Sequence, residues 1–574
     1  MAPDECTTPT TVVGTELNSY EQASDGDKEA QTMACEPVRT DNDFAKQAAS
    51  KDSTKMPTGF KLYALAFALL LSEVLVGLDQ TIVANATTIV ANEFNSLSDI
   101  GWYGSAYLLT SAVFIPAASR AYVLFNKKWT FMFAIIIFNL GSLVSAVAQN
   151  SPVFIVGRAL QGFGYAFCFT GVLYISAASM PVHTLPKFTS FMNLSYGTGT
   201  ILGPLLGGVL TTSVSWRFCF WINLPPGGIT LVIIFFFCNP PVEKQTLSVV
   251  QRLLRMDWPG AALLLGSTTC LLVALQEGGV KTPWNSGRII GLFLGFGLML
   301  IAFFVLQYYL GEESSISLRL LRGRSIGFTA IVNWCCGASY YSILYYIPIY
   351  FQAVLGFSPL KSGVATLALI LPNMIAGIVA GYCVTAFGWF HPEMLVGTIC
   401  TAIGTGLFAL MDQTTSSSAW IGYQVLASTG MGTWYMLGFL ASQILLPKQD
   451  RAKGANIVIY SQLIGATYWV SASESIYQTT FARGLSQIPG VDKEAVLGAG
   501  VSGFRQFVPA EILPQVVSVA VNGLFNVFVA AAVIAGFAAL MVLCIPWRRM
   551  KRDEPDDDDL GISKSEAKDE SVQA

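Results

Sequence analysis

The chain has 574 residues, 53% of them hydrophobic and only 12% charged, with 33 basic against 36 acidic side chains and a net charge of −3. Soluble domains are roughly a quarter charged, so this apolar excess does not fit one globular core; a soluble enzyme, a disulfide scaffold, a coiled coil and a collagen-like fibre are excluded. The mild acidity, with a pI near 5.6, also argues against nucleic acid as a partner.

Residues 1–60 are polar, lack an apolar stretch, and predict a disordered cytoplasmic tail without a cleavable signal peptide. Fourteen apolar segments follow, with cores at 62–88, 100–121, 129–148, 153–177, 187–211, 217–238, 258–276, 288–309, 325–350, 362–386, 394–411, 419–442, 454–477 and 522–546. Each is long enough for a helix through about 30 Å of hydrocarbon. The runs are continuous rather than alternating, which disfavours a β-barrel; the expected fold is an all-α polytopic membrane protein. The polar segment 481–518 is expected to face outward and has room for a short amphipathic helix. Residues 547–574 form a second tail, opening with Arg548, Arg549, Lys551 and Arg552. One set of alternate loops carries Lys127, Lys128, Lys187, Lys244, Arg252, Arg255, Arg319, Arg322, Arg324, Lys448, Arg451 and Lys453; the other holds chiefly Lys281, Arg288 and Lys361. The richer set is cytoplasmic by the positive-inside rule, which places both termini inside.

The eleven cysteines form no CxxC pair or zinc spacing, and nine of them sit in or beside apolar runs. Both histidines, His183 and His391, read as loop residues. There is no GxxxxGK[ST] loop and no catalytic constellation. No metal and no cofactor are expected, and the chain does not read as an enzyme.

Charges inside apolar segments are costly and mark functional candidates. Asp79 lies in the first segment, about 25 Å from its inner end at 1.5 Å per residue. Arg158 lies in the fourth, about 9 Å from its outer end. The two share a depth, so a pair is geometrically allowed, with a static packing pair as the competing reading. Glu474 and Glu277 lie near outer ends, where they can also snorkel to water. Asp257, before Trp258-Pro259, reads as a helix N-cap. In the fifth segment Gly199, Gly203 and Gly207 recur every fourth residue, with Pro204 and Gly208 among them. Such a stripe lets helices approach closely and is expected to act as a proline-bent contact between two halves, with Gly377 and Gly381 of the tenth segment facing it. Tyr107, Gln161, Asn193, Trp334, Tyr345 and Gln352 suit a large, partly apolar cavity; an interfacial aromatic belt is the alternative.

At these residues the chain resembles the fourteen-span drug:proton antiporter family of the major facilitator superfamily, common in fungi, over about 60–546. LDQTIVANA is similar to the family's first-span motif LDxTIVNxALP, with Asp79 at its acidic position. GRALQGFG resembles the fourth-span RxxQGxG motif (Arg158, Gln161, Gly162, Gly164), and GTGTILGPLLGG the fifth-span antiporter motif (Gly199, Gly203, Pro204, Gly207, Gly208). The stretches SWRFCFWINLPPG and YYIPIYFQAVLGFSPLKSGV are also family-like. The loop SRAYVLFNKK departs from the usual GxLaDrxGRR, with Ser119 at the glycine position. The resemblance implies a six-helix half over 61–240, a linker with inserted helices seven and eight over 241–324, and a second half over 325–546, each half built of inverted repeats. It implies proton-coupled efflux of an amphipathic small organic molecule, such as a toxin or other secondary metabolite, by alternating access. Asp79, Arg158 and Glu474 would then couple the proton gradient to transport. A monomer in the plasma membrane is expected; vacuolar or vesicle membranes stay open. Two readings compete: a proton-driven importer of a siderophore or basic amino acid, and a receptor that transports nothing.

Overall fold

A computed structural model describes residues 59–547 except 95, 97–98, 181–184, 240–247, 280, 312–313, 448–449, 490, 492–495, 497–504 and 506–507. The expectations for the two tails, His183, Lys244, Lys448 and much of the 481–518 segment therefore lie outside the described residues.

Among the described residues no β-strand forms, and fourteen helices of at least 14 residues occupy the predicted segments. They are α1 (Phe60–Glu93), α2 (Ile100–Leu124), α3 (Lys127–Val147), α4 (Ser151–Ser179), α5 (Leu185–Ser213), α6 (Leu224–Phe237) and α7 (Trp258–Glu277). There follow α8 (Gly287–Leu310), α9 (Arg324–Ile349), α10 (Pro359–Phe387), α11 (His391–Phe408), α12 (Ser417–Leu445), α13 (Arg451–Leu485) and α14 (Leu513–Val542). Polar residues at the loop junctions start several of them: the side chains of Asn126, Asn150, Ser286 and Ser358 accept from backbone N–H groups in the first turns of α3, α4, α8 and α10. Asp257 does the same for α7, accepting from the Gly260 N–H at 2.8 Å. Gly388 closes α10 in the left-handed region at φ 77°.

Three boundaries differ from expectation. His391 is the first residue of α11, buried and stacked on Trp547 at 5.4 Å, rather than a loop residue. The last two helices extend into the supposed 481–518 loop, α13 to Leu485 and α14 from Leu513. The sixth segment is broken: a short turn, Phe218–Trp221, precedes α6, leaving Ile222 and Asn223 at the break.

Nine segments among the described residues have the length and apolarity of a membrane crossing. The rest of the long helices are more polar for a visible reason. In α9, Asn333, Ser339, Tyr341 and Ser342 are buried against protein rather than exposed at the perimeter, so hydropathy is not demanded of them. The opposite case is α8, which exposes Leu294, Leu298 and Ile301, an outer face suited to hydrocarbon.

The packing repeats. In the first six helices α1 packs on α5 and α6, α4 on α2 and α3, and α3 on α6; in the last six α9 packs on α13 and α14, α12 on α10 and α11, and α11 on α14. The two groups meet along α5–α10 and α2–α13. Helices α7 and α8 pack on each other, with α7 resting on α2 and α13.

Candidate functional site

The site is assembled around Asp79, which is fully buried in α1. Arg158 and Gln161 lie three residues apart on α4 and so share a face. Arg158 Nη1 donates to Asp79 Oδ2 and to Gln161 Oε1, both at 2.8 Å, and its Nε donates to the Tyr103 carbonyl of α2 at 3.1 Å. Gln161 Nε2 donates to Asp79 Oδ1 and to Ser142 Oγ of α3, both at 2.8 Å. From the break before α6, Asn223 Nδ2 donates to the same two acceptors at 2.8 and 3.1 Å. The Arg158 guanidinium stands 4.5 Å above the Tyr107 ring.

Close helix approach lets these short side chains meet. A Cβ on Gly141 of α3 would strike the Gln161 backbone, and one on Gly162 of α4 would strike Tyr107 and Thr110 of α2. The GRALQGFG run thus supplies both the polar pair and the clearance that seats it. Chemically, a proton placed on Asp79 Oδ2 removes the counter-charge of Arg158 and leaves Gln161 Oε1 as the remaining acceptor of Nη1. Protonation and rearrangement of this cluster are therefore linked, since a buried charge that loses its partner is costly.

The other predicted residues are distributed. Glu474 of α13 belongs to a separate cluster beside Gly101 of α2 and Gln276 of α7, and its Oε1 accepts from Gln478 at 3.0 Å. Glu277 pairs with Arg288 at 2.9 Å. Tyr107 is buried in the Asp79 site with its hydroxyl unpartnered. Tyr345 and Trp334 lie on α9, the latter with its backbone against Gly465 of α13. Gln352, in the π-helical turn Tyr350–Val354 after α9, donates to Ser362 Oγ at 3.4 Å. Asn193 lines a small, partly open cleft on the α5–α10 seam, with Tyr196, Thr200, Tyr340 and Asn373.

The glycine stripe faces elsewhere than expected. A Cβ on Gly199 would collide with the Val74 carbonyl, and one on Gly203 with Thr81, so the stripe seals α5 to α1 inside the first group. Gly207 and Gly208 are buried on the same helix. The contact between groups is carried instead by Gly197 against Met374 and by Pro204 against Gly363. Gly377 turns to Gly432 of α12, and a Cβ on Gly381 would meet nothing within 4 Å, so that pair does not form the answering stripe.

Sequence reasoning missed three members. Asn223 lies in the family-like WINLPPG stretch but is uncharged. Ser142 carries no signal among the many serines of apolar segments. Glu73 of α1 is buried, with Oε2 unpartnered; the rule that singled out Asp79 applies to it equally.

Comparison with known proteins agrees with this architecture. Residues 69–468 match the family described as the Major Facilitator Superfamily. The chain is similar to the MFS-type efflux pump MFS1 of Arthroderma benhamiae, 37% identical over 499 residues that cover 86% of this chain and 93% of that one. It is likewise similar to the efflux pump aflT of Aspergillus parasiticus, 37% identical over 514 residues, 89% of this chain and 99% of that one. Among solved structures, the human organic anion transporter MFSD10 (TETRAN) shares the fold at a TM-score of 0.55 and 12% identity, over 84% of this chain and 100% of that one.

Proposed function

The chain belongs to the major facilitator superfamily, and from that premise we propose that it is a proton-coupled exporter of amphipathic small organic molecules, a secondary metabolite or toxin among them. The buried Asp79–Arg158 pair and the Gln161 and Asn223 amides around it carry this reading. The names of the relatives, efflux pumps, support export over import. In this mechanism all fourteen helices cross the plasma membrane, both termini are cytoplasmic, the protein works as a monomer, and α7 and α8 are inserted between two six-helix halves. Cargo enters a central chamber from the cytosol or inner leaflet. The halves rock about the α5–α10 and α2–α13 seams, and cargo leaves outside as a proton enters. Proton arrival at Asp79 releases Arg158, repacks the first half and so biases which side is open. Glu474 sits on the α2–α13 seam, where a second protonation step would act on the contact between halves. The inward gradient supplies the energy, each charge crossing 100 mV being worth about 2.3 kcal/mol.

The test is flux in proteoliposomes with an imposed pH difference, using a panel of amphipathic dyes that includes permanently charged ethidium. Dye movement toward the acidified face, lost with a protonophore and with Arg158→Ala, is the expected result. Movement away from the acid face would instead identify an importer. Saturable dye binding with no flux of any dye, and no proton movement, would identify a receptor.

A further inference from the structure

Gly101 lies in the first turn of α2 and Gln276 in the last turn of α7, so the two residues stand at the same end of the bundle. A Cβ on Gly101 would lie 3.0 Å from Glu474 Oε1 of α13 and 3.3 Å from both Glu474 Oε2 and Gln276 Nε2. The bare glycine thus leaves the room in which the α13 carboxyl and the α7 amide come close. Gln276 Nε2 donates to Ser105 Oγ of α2 at 3.3 Å, and Glu474 Oε1 accepts from Gln478 Nε2, one turn along α13, at 3.0 Å. One helix from each group and one from the inserted pair therefore meet at a single carboxyl. Neither Glu474 nor Gln276 is fully buried. Helix α8 backs this arrangement, its Phe296 carbonyl accepting from Ser267 Oγ of α7 at 3.1 Å.

Among the described residues no ion pair includes Glu474. The helices packed on α13 bring it no opposite charge: α12 and α14 carry no charged residue, and Arg120 and Arg324 stand at the far ends of α2 and α9. At the near end, Glu277 of α7 is paired with Arg288, Asp99 before α2 accepts from Ser151 Oγ at 2.5 Å, and Lys281 is exposed. Arg483, nine residues along α13, is exposed on the opposite side of that helix. Tyr346 of α9 is a phenol in electrostatic reach of the carboxyl. An ionised Glu474 is therefore met by neutral dipoles, the amides of Gln276 and Gln478 foremost. We propose that Gln276 is a positioning residue for Glu474, and that the inserted helix pair thereby forms one wall of the path by which a proton reaches the seam between the groups. This inference rests on the transport reading and deepens it by giving α7 and α8 a part in coupling.

The test is dicyclohexylcarbodiimide labelling of the purified full-length protein across a pH series, read at Glu474 by peptide mass spectrometry. It needs no cargo, gradient or flux, so its failure is distinct from failure of the exporter reading. Carbodiimides react with the protonated carboxyl, so wild-type labelling should fall as pH rises through a midpoint. Donors near a carboxylate favour its ionised form. Gln276→Leu, which removes the amide and keeps the bulk, should therefore move the midpoint upward by at least about half a pH unit, and Gln276→Asn should restore part of the shift. Thr268→Val removes the contact of α7 with the Tyr468 hydroxyl of α13 and should leave the midpoint in place. An unchanged midpoint in Gln276→Leu, an equal shift in Thr268→Val, or no labelling of Glu474 in wild type at any pH overturns the proposal. If Gln276→Leu does not fold, Ser105→Ala decides. It frees the Gln276 amide to turn to the carboxylate and should lower the midpoint; a midpoint that stays or rises rejects the assignment.

Discussion

Arg158 uses two nitrogens for three acceptors on two other helices and its own. A lysine ammonium keeps the charge but not the planar fork that reaches Tyr103, Asp79 and Gln161 together. Arg158→Lys should therefore leave the protein folded while lowering dye flux at least tenfold, and wild-type flux in that variant would remove the fork from the mechanism. Arg158→Ala leaves Asp79 buried without its counter-charge and should cost about 3–5 kcal/mol of stability, read as a large fall in melting temperature. Asn223→Ala removes one neutral donor and should cost about 1–3 kcal/mol. At the far end of α1, Glu93 accepts from the Trp216 indole at 2.6 Å and from Arg217 at 2.7 Å. The Trp216 hydrogen bond chiefly, with Arg217 beside it, holds the Glu93 carboxyl below its usual range despite partial burial. A lowered folded pKa contributes stability above the ordinary carboxylate value, and that contribution is lost as pH falls through the folded value. Melting temperature should thus drop on acidification below pH about 4, and Glu93→Gln should flatten that part of the profile. With the side chain 43% exposed, solvent screening keeps the effect small.

Helix contacts in this protein are made by small residues, and their direction matters more than their number. Gly199 and Gly203 admit the α1 backbone, whereas a Cβ on Gly381 would meet nothing within 4 Å. Gly199→Ala or Gly203→Ala overpacks the α1–α5 seam and should destabilise by about 1–3 kcal/mol. Gly381→Ala adds helix propensity without a clash and should be neutral or stabilise by up to about 1 kcal/mol. Thermal unfolding of the three variants side by side checks this, and equal melting temperatures would contradict the α1–α5 assignment. The break at Ile222 and Asn223 has a comparable element-level role: by ending one helical turn and starting α6, it aims an amide at Asp79 that a continuous helix would have to place by rotation alone.

Across the whole molecule, the two helix groups are joined by polar links as well as by apolar seams. Asn456 of α13 donates to Ser119 Oγ of α2 at 2.6 Å and to the Tyr174 hydroxyl of α4 at 3.0 Å. Ser119 is the residue that stands at the glycine position of the family's loop pattern. A neutral hydrogen-bonded link thus ties the groups at the end proposed to face the cytosol. Asn456→Ala removes both bonds across the seam and should open that end: maleimide labelling of Ser119→Cys should rise severalfold in its presence. An unchanged labelling rate would mean that the seam is held shut by apolar packing alone.

The number, order and approximate limits of the long helices were legible in the sequence, because each apolar run of bilayer length settles its own backbone hydrogen bonding without reference to a partner. The Asp79–Arg158 pair was foreseeable for a similar reason: an intramembrane charge is rare, and depth along a helix follows from counting residues. Its completion by Asn223 and Ser142 was not, since neutral polar residues are common in such segments and these two come from separate helices. The stripe on α5 could be recognised but not aimed, because a 3.6-residue period defines a face and says nothing of which neighbour meets it. Only the tertiary packing turned that face toward α1, gave the seam between groups to Gly197 and Pro204, and left Glu73 buried with Oε2 unpartnered.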